Sequence, residues 1–391
     1  MSTAAPILCI NSGSSSLKFA LYRMEDGQEE AIGRGAVEEL GSANSRIWLQ
    51  AGAEVVRAPA QPVLNHHEAI GAMFALFATR QIGSPRAVGH RLVSGGPHHV
   101  RHTRIDAAFL RDIRRAVQFA PLHLPAAIDA IEAVGRHYPH LPQVACMDTA
   151  FHADLPEIAA RLPLPRYLWD EGVRKYGFHG LSYEYILGTL PAEEQRKRLI
   201  IAHLGNGASM AAIAFGKPVD TTMGLTPAGG FMMGTRSGDL DPGVLLYLLG
   251  HKTYTHQTIQ DLVNHRSGLL GVSGDTADMR LLLRDRATNA HAAQAIDMFC
   301  YQIRKAAGAL AAAMDGLDTL VFTGGIGEHA QPVRALVAGG LGCLGVRLDH
   351  KANARDADII STQDSRVRIR VIPTHEDLVI ARHTQRILQT A

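Results

Sequence analysis

Three short segments rich in glycine, serine and asparagine have the composition of phosphate-binding loops. They are residues 11–16 (NSGSSS), 205–209 (GNGAS) and 324–328 (GGIGE). Glycine reaches positive φ angles at little cost, so several backbone N–H groups can turn toward one anion. Lys18 follows the first segment and adds a positive charge. Three such segments in one chain predict a protein that holds a polyphosphate between two halves.

Two of these segments also have a simpler interpretation. The first lacks the G-x-x-x-x-G-K-[ST] pattern of a P-loop, and the apolar residues 17–23 after it predict a strand instead of a helix. A hairpin turn of small residues therefore remains an alternative. The third contains G-G-x-G, which resembles a fragment of a dinucleotide-binding fingerprint, but the full G-x-G-x-x-G is absent there.

The composition narrows the class of protein. A length of 391 residues exceeds one ordinary core and predicts about two domains. Hydrophobic residues make up 46% of the chain and charged residues 19%, which is typical of a globular protein. A net charge of +2 argues against a nucleic-acid partner, because such surfaces are strongly basic.

The cysteines and the apolar segments bear on the compartment. The four cysteines form no C-x-x-C pair, so we expect buried free thiols at Cys9, Cys146, Cys300 and Cys343. No apolar run approaches the roughly 18 residues of a membrane span. The N-terminus also lacks the basic stretch of a signal peptide. We therefore expect a cytoplasmic protein with no membrane partner.

The elements that must position the loops are strands that alternate with helices. Predicted strands cover residues 7–11, 17–23, 31–38, 87–93, 143–147, 199–204, 210–215, 320–323 and 367–372. Predicted helices cover residues 68–80, 109–118, 125–137, 289–314 and 378–388. The strand–turn–strand around residues 11–16 recurs around residues 205–209, which indicates two related α/β domains.

Five segments carry a family resemblance. They are residues 9–19 (CINSGSSSLKF), 90–93 (HRLV), 147–152 (MDTAFH), 176–180 (YGFHG) and 232–242 (MMGTRSGDLDP). In this order they closely resemble the acetate kinase (acetokinase) family, from about residue 7 to residue 384. The resemblance implies an α/β fold of two duplicated actin-like (ribonuclease H-like) domains with an ATP cleft between them. It implies an N-terminal domain of residues 1–148 plus 377–391, a C-terminal domain of residues 149–376, and a homodimer.

The implied reaction is the reversible, Mg²⁺-dependent, in-line transfer of the γ-phosphoryl group of ATP to acetate, which gives acetyl phosphate and ADP. Acetate is ionised at pH 7 and needs no general base, whereas two mutually repelling anions need positive charge between them. By resemblance Arg91 binds the carboxylate, Arg236 stabilises the transferring phosphoryl group, and His179 donates a hydrogen bond to it. The family treats the aspartate matching Asp148 as catalytic. We expect Asp148 to orient Arg91 or a magnesium-bound water.

The resemblance also implies the binding residues. Magnesium, for which manganese is an expected substitute, would bind Asn11 and Glu376. Apolar walls would limit the acid to the size of acetate, at Val93, Leu122, Phe178 and Pro227. ATP would bind Lys18 together with three stretches, namely His203, Leu204, Gly205, Asn206 and Gly207, then Asp278, Met279 and Arg280, and finally Gly325, Ile326, Gly327, Glu328 and His329.

Six positions depart from the usual family pattern, although the catalytic residues are retained. They are Ser94, Leu124, Leu181, Tyr183, Gly229 and His329. Each changes a hydrogen-bonding group near the expected site, and Tyr183 stands where a histidine is usual. These changes leave the preferred acid and the preferred nucleotide open.

Several alternatives therefore remain. The first is a propionate or butyrate kinase of the same superfamily. The second is a non-catalytic ATP-dependent clamp, which would need nucleotide loops but no carboxylate-binding arginine. A sugar kinase is disfavoured, because a neutral hydroxyl needs a base. A metal site at His98, His99 and His102 is a weaker alternative than a solvated loop, since no matching ligand set is visible.

Overall fold

The computed structural model describes residues 5–13, 15–25, 28–80 and 82–390. Ser14, part of the first predicted loop, lies outside the described residues. The chain divides into two units, the first formed by Met1–Ala153 with His375–Ala391 and the second by Asp154–Thr374. Each unit has a sheet with helices, which confirms the predicted α/β class. The domain boundaries at residues 148 and 376 stay a prediction.

The first unit is built on an eight-stranded sheet with the order β5-β4-β3-β2-β1-β6-β8-β7. Its strands are β1 (Ile7–Ser12), β2 (Ser16–Glu25), β3 (Gln28–Glu38), β4 (Arg46–Ala51), β5 (Glu54–Arg57), β6 (Ala87–Leu92), β7 (Thr103–Arg104) and β8 (Gln143–Met147). β6 runs parallel to β1 and to β8, and the remaining neighbours are antiparallel. The parallel strands are buried, which explains their continuous apolar runs.

The register of the central strands brings polar residues together at one end of this sheet. Asn11 at the end of β1 lies opposite Lys18 of β2 on one side and Arg91 of β6 on the other. Asp148 follows β8 directly, and its N–H donates to the carbonyl of Leu92 over 2.9 Å. Because parallel strands end at the same edge, three separate segments of sequence deliver their side chains to one place.

The helices of the first unit are α1 (His66–Thr79), α2 (Ala107–Arg115), α3 (Leu124–His137) and the last helix of the chain, α16 (Glu376–Gln389), with short 3₁₀ segments at Ala116–Phe119 and Ala150–His152. Phe19 of β2 packs edge-on against Phe77 of α1, with 5.4 Å between the ring centroids. α16 packs closely on the sheet because residue 89 is a glycine. A Cβ at Gly89 would overlap Ile380 and Thr384 of that helix.

The second unit has a five-stranded sheet with the order β11-β10-β9-β12-β13. Its strands are β9 (Arg198–Leu204), β10 (Ala208–Ala214), β11 (Lys217–Thr221), β12 (Thr319–Thr323) and β13 (Arg368–Val371). The meander β11-β10-β9 followed by parallel β12 and β13 repeats the plan of β3-β2-β1 followed by β6 and β8. This shared strand order confirms the predicted duplication.

The helices of the second unit are α4 (Glu157–Ala160), α5 (Arg166–Asp170), α6 (Gly180–Thr189), α7 (Ala192–Gln195), α8 (Pro242–Leu249), α9 (His256–His265), α10 (Gly268–Ser273), α11 (Met279–Asp285), α12 (Ala290–Ala313), α13 (Gly324–His329), α14 (Gln331–Gly339) and α15 (His350–Ala354), with a 3₁₀ segment at Gly342–Leu344. The long helix α12 matches the predicted helix at residues 289–314 and buries one face along its length. Among the described residues, no helix combines the length and the apolar character needed to cross a membrane.

Two expectations were wrong in detail. The third glycine-rich segment is not a loop but the short helix α13, because the Glu328 carboxylate accepts a hydrogen bond from the Gly324 N–H over 2.8 Å and holds its first turn. All four cysteines are free thiols, but only three are buried, and Cys343 is exposed. Cys343 lies in the 3₁₀ turn Gly342–Leu344, where the side chain does not enter a core.

Helix α8 is unusual because its sequence is apolar yet it buries no residue. Its segment PGVLLYLL contains no charged side chain. The exposed fractions are 41% for Val244, 70% for Leu246, 66% for Tyr247 and 50% for Leu249. Exposed apolar patches of this kind on a monomer often mark an interaction surface.

Candidate active site

Arg91 is the centre of a polar cluster in the first unit. Its Nη2 donates to Asp148 Oδ2 over 2.5 Å, its Nε donates to Asp148 Oδ1 over 3.2 Å, and its Nη1 donates to Asn11 Oδ1 over 3.1 Å. Glu376 Oε2, at the first residue of α16, lies 3.9 Å from Arg91 Nε. The structure therefore brings together Asn11, Arg91, Asp148 and Glu376, which the sequence analysis placed in one site.

Electrostatics keep the Arg91 guanidinium charged. Burial lowers its pKa, but the charges of Asp148 and then Glu376 raise it further than burial lowers it. Asp148 is 1% exposed, so this pair is largely removed from water. The bidentate contact fixes the plane of the guanidinium relative to the Asp148 carboxylate.

Asp377 is a member of this cluster that the sequence analysis missed. Burial, and then the charge of Glu376, raises its pKa to about 6, whereas the charges of Arg91 and Lys18 lower it. Two adjacent acidic residues are common at a helix N-terminus, because the helix dipole stabilises negative charge there. The only indication in the sequence that Asp377 belongs to the site was its position next to Glu376.

The second unit holds His179 and Arg236 beside the second glycine-rich loop. A Cβ at Gly207 would lie 3.3 Å from Arg236 Nη1 and 3.4 Å from His179 Nε2, so the glycine leaves open a space that both polar atoms border. The Gly234 N–H donates to the Asn206 carbonyl over 2.9 Å and ties the Arg236 loop to the glycine-rich loop. The structure thus brings together two predicted catalytic residues and one predicted phosphate loop.

The backbone of His179 is held in an uncommon conformation. It has φ +58° and stands immediately before α6. A left-handed conformation is uncommon for a residue with a side chain, although histidine adopts it more readily than most residues do. The imidazole stacks on that of His203, with 4.3 Å between the ring centroids.

Hydroxyl groups contact both rings of the stacked pair. Ser182 Oγ lies 2.8 Å from His203 Nδ1, and Ser209 Oγ lies 2.8 Å from His179 Nδ1. Tyr183 Oη in turn lies 2.5 Å from Ser209 Oγ. Ser182, Tyr183 and Ser209 are buried, so these contacts are shielded from water. Tyr183, which stands where the family usually has a histidine, thus supplies a hydrogen-bonding group of its own, the hydroxyl.

A cavity of about 570 Å³ in the second unit joins the three stretches predicted to bind ATP. Eight predicted residues line it, namely Gly205, Asn206, Asp278, Met279, Arg280, Gly325, Ile326 and His329. Three more lining residues were missed, namely Ala277, Leu283 and Ala330. Six residues predicted to bind ATP are not in the lining, namely Lys18, His203, Leu204, Gly207, Gly327 and Glu328. The volume and the largely apolar lining suit a nucleoside.

The half-buried Glu328 and the buried Arg334 hold the short helix α13, which forms one wall of this cavity. Glu328 accepts hydrogen bonds from the N–H groups of Gly324 over 2.8 Å and Thr374 over 3.2 Å, so its carboxylate has a structural use. Arg334 is 0% exposed and donates to the carbonyls of Gly327 and Glu328 over 2.9 and 2.7 Å.

Asp278 and Arg280, which also line this cavity, form an ion pair. Hydrogen bonds from Arg280 lower the pKa of Asp278 to about 2.

The predicted apolar wall residues are divided between the units. Val93 and Leu122 are half-buried in the first unit. Phe178 is buried and Pro227 is half-buried in the second, where the Pro227 carbonyl accepts a hydrogen bond from Arg236 over 3.1 Å. Their role in limiting the acid stays a prediction.

The histidines at residues 98–102 do not form one ligand set within the first unit. His99 Nε2 lies 3.1 Å from Asp112 Oδ2, whereas His102 Nδ1 accepts a hydrogen bond from the Met147 N–H over 3.1 Å. Their different partners argue against a metal site made from these histidines alone.

Comparison with known proteins gives the family. The model of the acetokinase family matches residues 6–382. An acetate kinase from Rhodopseudomonas palustris is 45% identical, over 97% of this chain and 98% of that protein. A crystal structure of the acetate kinase from Porphyromonas gingivalis has a TM-score of 0.88 at 37% identity, and one of a propionate kinase from Francisella tularensis has a TM-score of 0.92 at 35% identity. Both matches cover 98% of this chain and 100% of the solved chain. The chain therefore belongs to the acetokinase family.

Proposed function

We propose that the protein is an enzyme that transfers the γ-phosphoryl group of ATP to acetate, giving acetyl phosphate and ADP, and that it catalyses the reverse reaction. The observation that carries the proposal is the Arg91 cluster, in a chain that matches the acetokinase family over nearly its whole length. A half-buried guanidinium oriented by Asp148 and Asn11 suits the binding of a small carboxylate.

The chemistry of the acid requires orientation rather than deprotonation. Acetate is an anion at neutral pH, so its oxygen is already a nucleophile. Arg91 would bind and orient this carboxylate, and Asp148 would hold the guanidinium plane. The same positive charge reduces the repulsion between the acid and the phosphoryl group.

The residues of the second unit would bind and polarise the phosphoryl donor. The cavity at Asp278 and Gly325 would hold the nucleoside, and the loop at Gly205–Gly207 would take the phosphates. Arg236 Nη1 and His179 Nε2 border the space over Gly207, where both can donate to phosphoryl oxygens as charge develops. Direct in-line transfer needs no covalent intermediate on the protein.

The residues around Arg91 fit a divalent cation. Three carboxylates, at Asp148, Glu376 and Asp377, interact with two cationic side chains, at Arg91 and Lys18, which leaves an excess of negative charge. The oxygens of Asn11 and Glu376 are ligands that Mg²⁺ and Mn²⁺ accept. A bound magnesium would neutralise charge on the ATP phosphates.

The assembly is part of the same proposal. We assign the two units to the two functional domains and the protein to a homodimer. The exposed helix α8 supports a second copy as the occupant of its surface, because a segment without charge can meet its own copy without repulsion.

A second candidate is transfer to propionate. The crystal structure with a TM-score of 0.92 is of a propionate kinase, so the overall fold does not separate the two acids. One additional methylene changes discrimination by only about 1–3 kcal/mol.

The test is a hydroxylamine trap for acyl phosphate, with ATP, magnesium and acetate, propionate or butyrate. We expect hydroxamate with acetate in the largest amount. More product with propionate would make the second candidate the correct one. ATP binding without hydroxamate from any acid would support the non-catalytic clamp and contradict the proposal.

The residue assignments have their own test. Arg91→Ala and Arg236→Ala should each lower kcat by at least about 100-fold, because each removes charge stabilisation at the reacting groups. Arg114→Ala and Arg266→Ala, at half-exposed surface pairs in the same two units, serve as matched controls. Normal kcat in both site variants would contradict the assigned roles.

A further inference from the structure

The first turn of α6 supplies two of the three hydroxyl side chains next to the stacked histidines, namely Ser182 and Tyr183. Tyr183 is four residues after His179, and its N–H donates to the His179 carbonyl over 3.1 Å, so both side chains lie on one face. Ser209 is the register partner of His203 on the adjacent strand. These positions place Ser209 Oγ between His179 Nδ1 and Tyr183 Oη.

We propose that Tyr183 is a positioning residue that acts through Ser209 to fix the tautomer of His179. A phenol is more acidic than an aliphatic hydroxyl and is therefore the stronger hydrogen-bond donor of the two. Tyr183 therefore donates to Ser209 Oγ, and Ser209 donates to His179 Nδ1. An imidazole that accepts at Nδ1 carries its proton on Nε2 when it is neutral.

The direction of this relay matters because of where Nε2 lies. His179 Nε2 borders the space over Gly207, opposite Arg236 Nη1. With the proton on Nε2, a neutral imidazole presents a donor to that space, whereas the other tautomer presents a lone pair that would repel an anion. The inference rests on the proposed function in one respect, namely that a phosphoryl oxygen occupies this space.

The alternative direction is a defined competitor. In it His179 Nδ1 donates to Ser209, and Ser209 donates to Tyr183. His179 would then present a donor at Nε2 only when positively charged. The acidity of the phenol favours the first direction, since the better donor then begins the chain. The two directions differ in an observable, the protonated nitrogen of the neutral ring.

Nitrogen-15 NMR of the full-length protein with labelled histidine reads that observable without any activity. The His179→Gln variant identifies the His179 signals by their loss. We expect wild-type protein at neutral pH to show His179 protonated on Nε2, and Tyr183→Phe to show a mixture of both tautomers. Protonation on Nδ1 in the wild type, or an unchanged tautomer in Tyr183→Phe, would overturn the proposal.

Kinetics provide a second readout. Tyr183→Phe should lower kcat about threefold to tenfold, the equivalent of one hydrogen bond, with KM for ATP changed less than about twofold. Tyr167→Phe makes the same chemical change at a side chain that is 60% exposed and should leave kcat unchanged. An equal kcat in both variants would refute the relay.

Further outcomes distinguish a failure of the relay from a failure of folding or of the proposed function. Should Tyr183→Phe not fold, Ser209→Ala removes the middle of the relay, and it should give the same mixture of tautomers. A wild-type protein that forms no hydroxamate contradicts the proposed function but leaves the His179 tautomer measurable. A wild type that forms hydroxamate with His179 protonated on Nδ1 contradicts the relay alone.

Discussion

At the scale of single residues, His90 is a buried imidazole next to Arg91 in β6. Its Nε2 lies 2.7 Å from Gln143 Oε1, and its Nδ1 has no hydrogen-bond partner among the described residues. Burial lowers the pKa of His90 to about 4, although the hydrogen bond with Gln143 raises it somewhat. The folded protein therefore keeps this ring neutral well below neutral pH.

The pKa of His90 predicts a loss of stability in acid. The folded value lies below the unfolded value of about 6.5, so the unfolded chain binds the extra proton. The contribution is fully present above pH 6.5 and is lost as the pH falls from 6.5 toward 4. Between pH 7 and pH 5 we expect the wild type to lose about 2 kcal/mol more free energy of unfolding than His90→Gln.

Urea unfolding of both proteins at several pH values measures this difference. The variant serves as the reference for the other titrating groups, including the remaining histidines. Parallel pH dependence of the two proteins would show that His90 binds a proton equally well in the folded state.

The sequence predicted the site residues unequally. Arg91, Asp148 and Asn11 came from the family resemblance, and the parallel strands that end together explain why they meet. Asp377 was missed because an acid in the first turn of a helix is common. The partners of His179 were also missed, since Ser209 lies 30 residues away and its contact depends on how β10 and α6 pack.

At the scale of elements, the short helix α13 depends on a buried arginine. Beyond its bonds to α13, Arg334 donates to Asn353 Oδ1 over 2.8 Å and to Asp356 Oδ1 over 2.5 Å. It therefore connects α13 to the segment around α15. An arginine with 0% exposure is tolerated because these acceptors replace water.

Arg334→Met should destabilise the protein by about 3–5 kcal/mol, because it leaves buried carbonyls and a carboxylate without their donor. It should also raise KM for ATP, because Gly325, Ile326 and His329 of α13 line the cavity that we propose holds the nucleoside. Urea unfolding and steady-state kinetics measure the two effects.

Arg347→Met is the matched control, since Arg347 pairs with Asp364 while both side chains are about two-thirds exposed. A surface pair contributes about 0–1 kcal/mol, so this variant should unfold almost like the wild type. Equal free energies of unfolding in the two variants would mean that the Arg334 contacts do not hold α13.

The central strands and the long helices were predictable, because buried strands and long amphipathic helices have clear periodicity. The strands β4, β5, β7 and β11 and the short helices of the second unit were missed. The helix α13 was not, since glycines at residues 324, 325 and 327 disfavour a helix and its stability comes from Glu328 and Arg334. The helices between Pro242 and Asp285 were missed because they are short.

At the scale of the whole molecule, the proposed homodimer can be tested by substitutions in helix α8. We expect wild-type protein to sediment at twice the 42.2 kDa chain mass and Leu246→Glu to sediment as a monomer. A stable interface buries about 800 Å² per partner, and a charge at its apolar centre is costly. Analytical ultracentrifugation over a range of concentrations measures the association.

Ile158→Glu provides the control for that experiment. Ile158 is 93% exposed and lies in the same unit, in α4, so it introduces the same charge outside α8. It should leave the dimer intact. A monomeric wild type, or a Leu246→Glu protein as dimeric as Ile158→Glu, would contradict the proposed interface.

The duplication was the most predictable property of the whole molecule, because two strand–turn–strand segments are visible in the sequence. The exposure of α8 was not predictable, because its sequence is as apolar as that of a helix buried in a core. Sequence patterns describe which side chains are apolar, and only the packing determines which of them stay uncovered.

The uneven burial of the thiols offers a practical tool. Burial raises the pKa of Cys300 to about 12 and that of Cys9 well above its ordinary value, so neither reacts readily in the folded protein. Cys146 is also buried, whereas Cys343 is exposed. A maleimide dye should therefore attach only at Cys343, in the second unit. The wild-type sequence can thus be labelled at one site for fluorescence measurements without removing any cysteine.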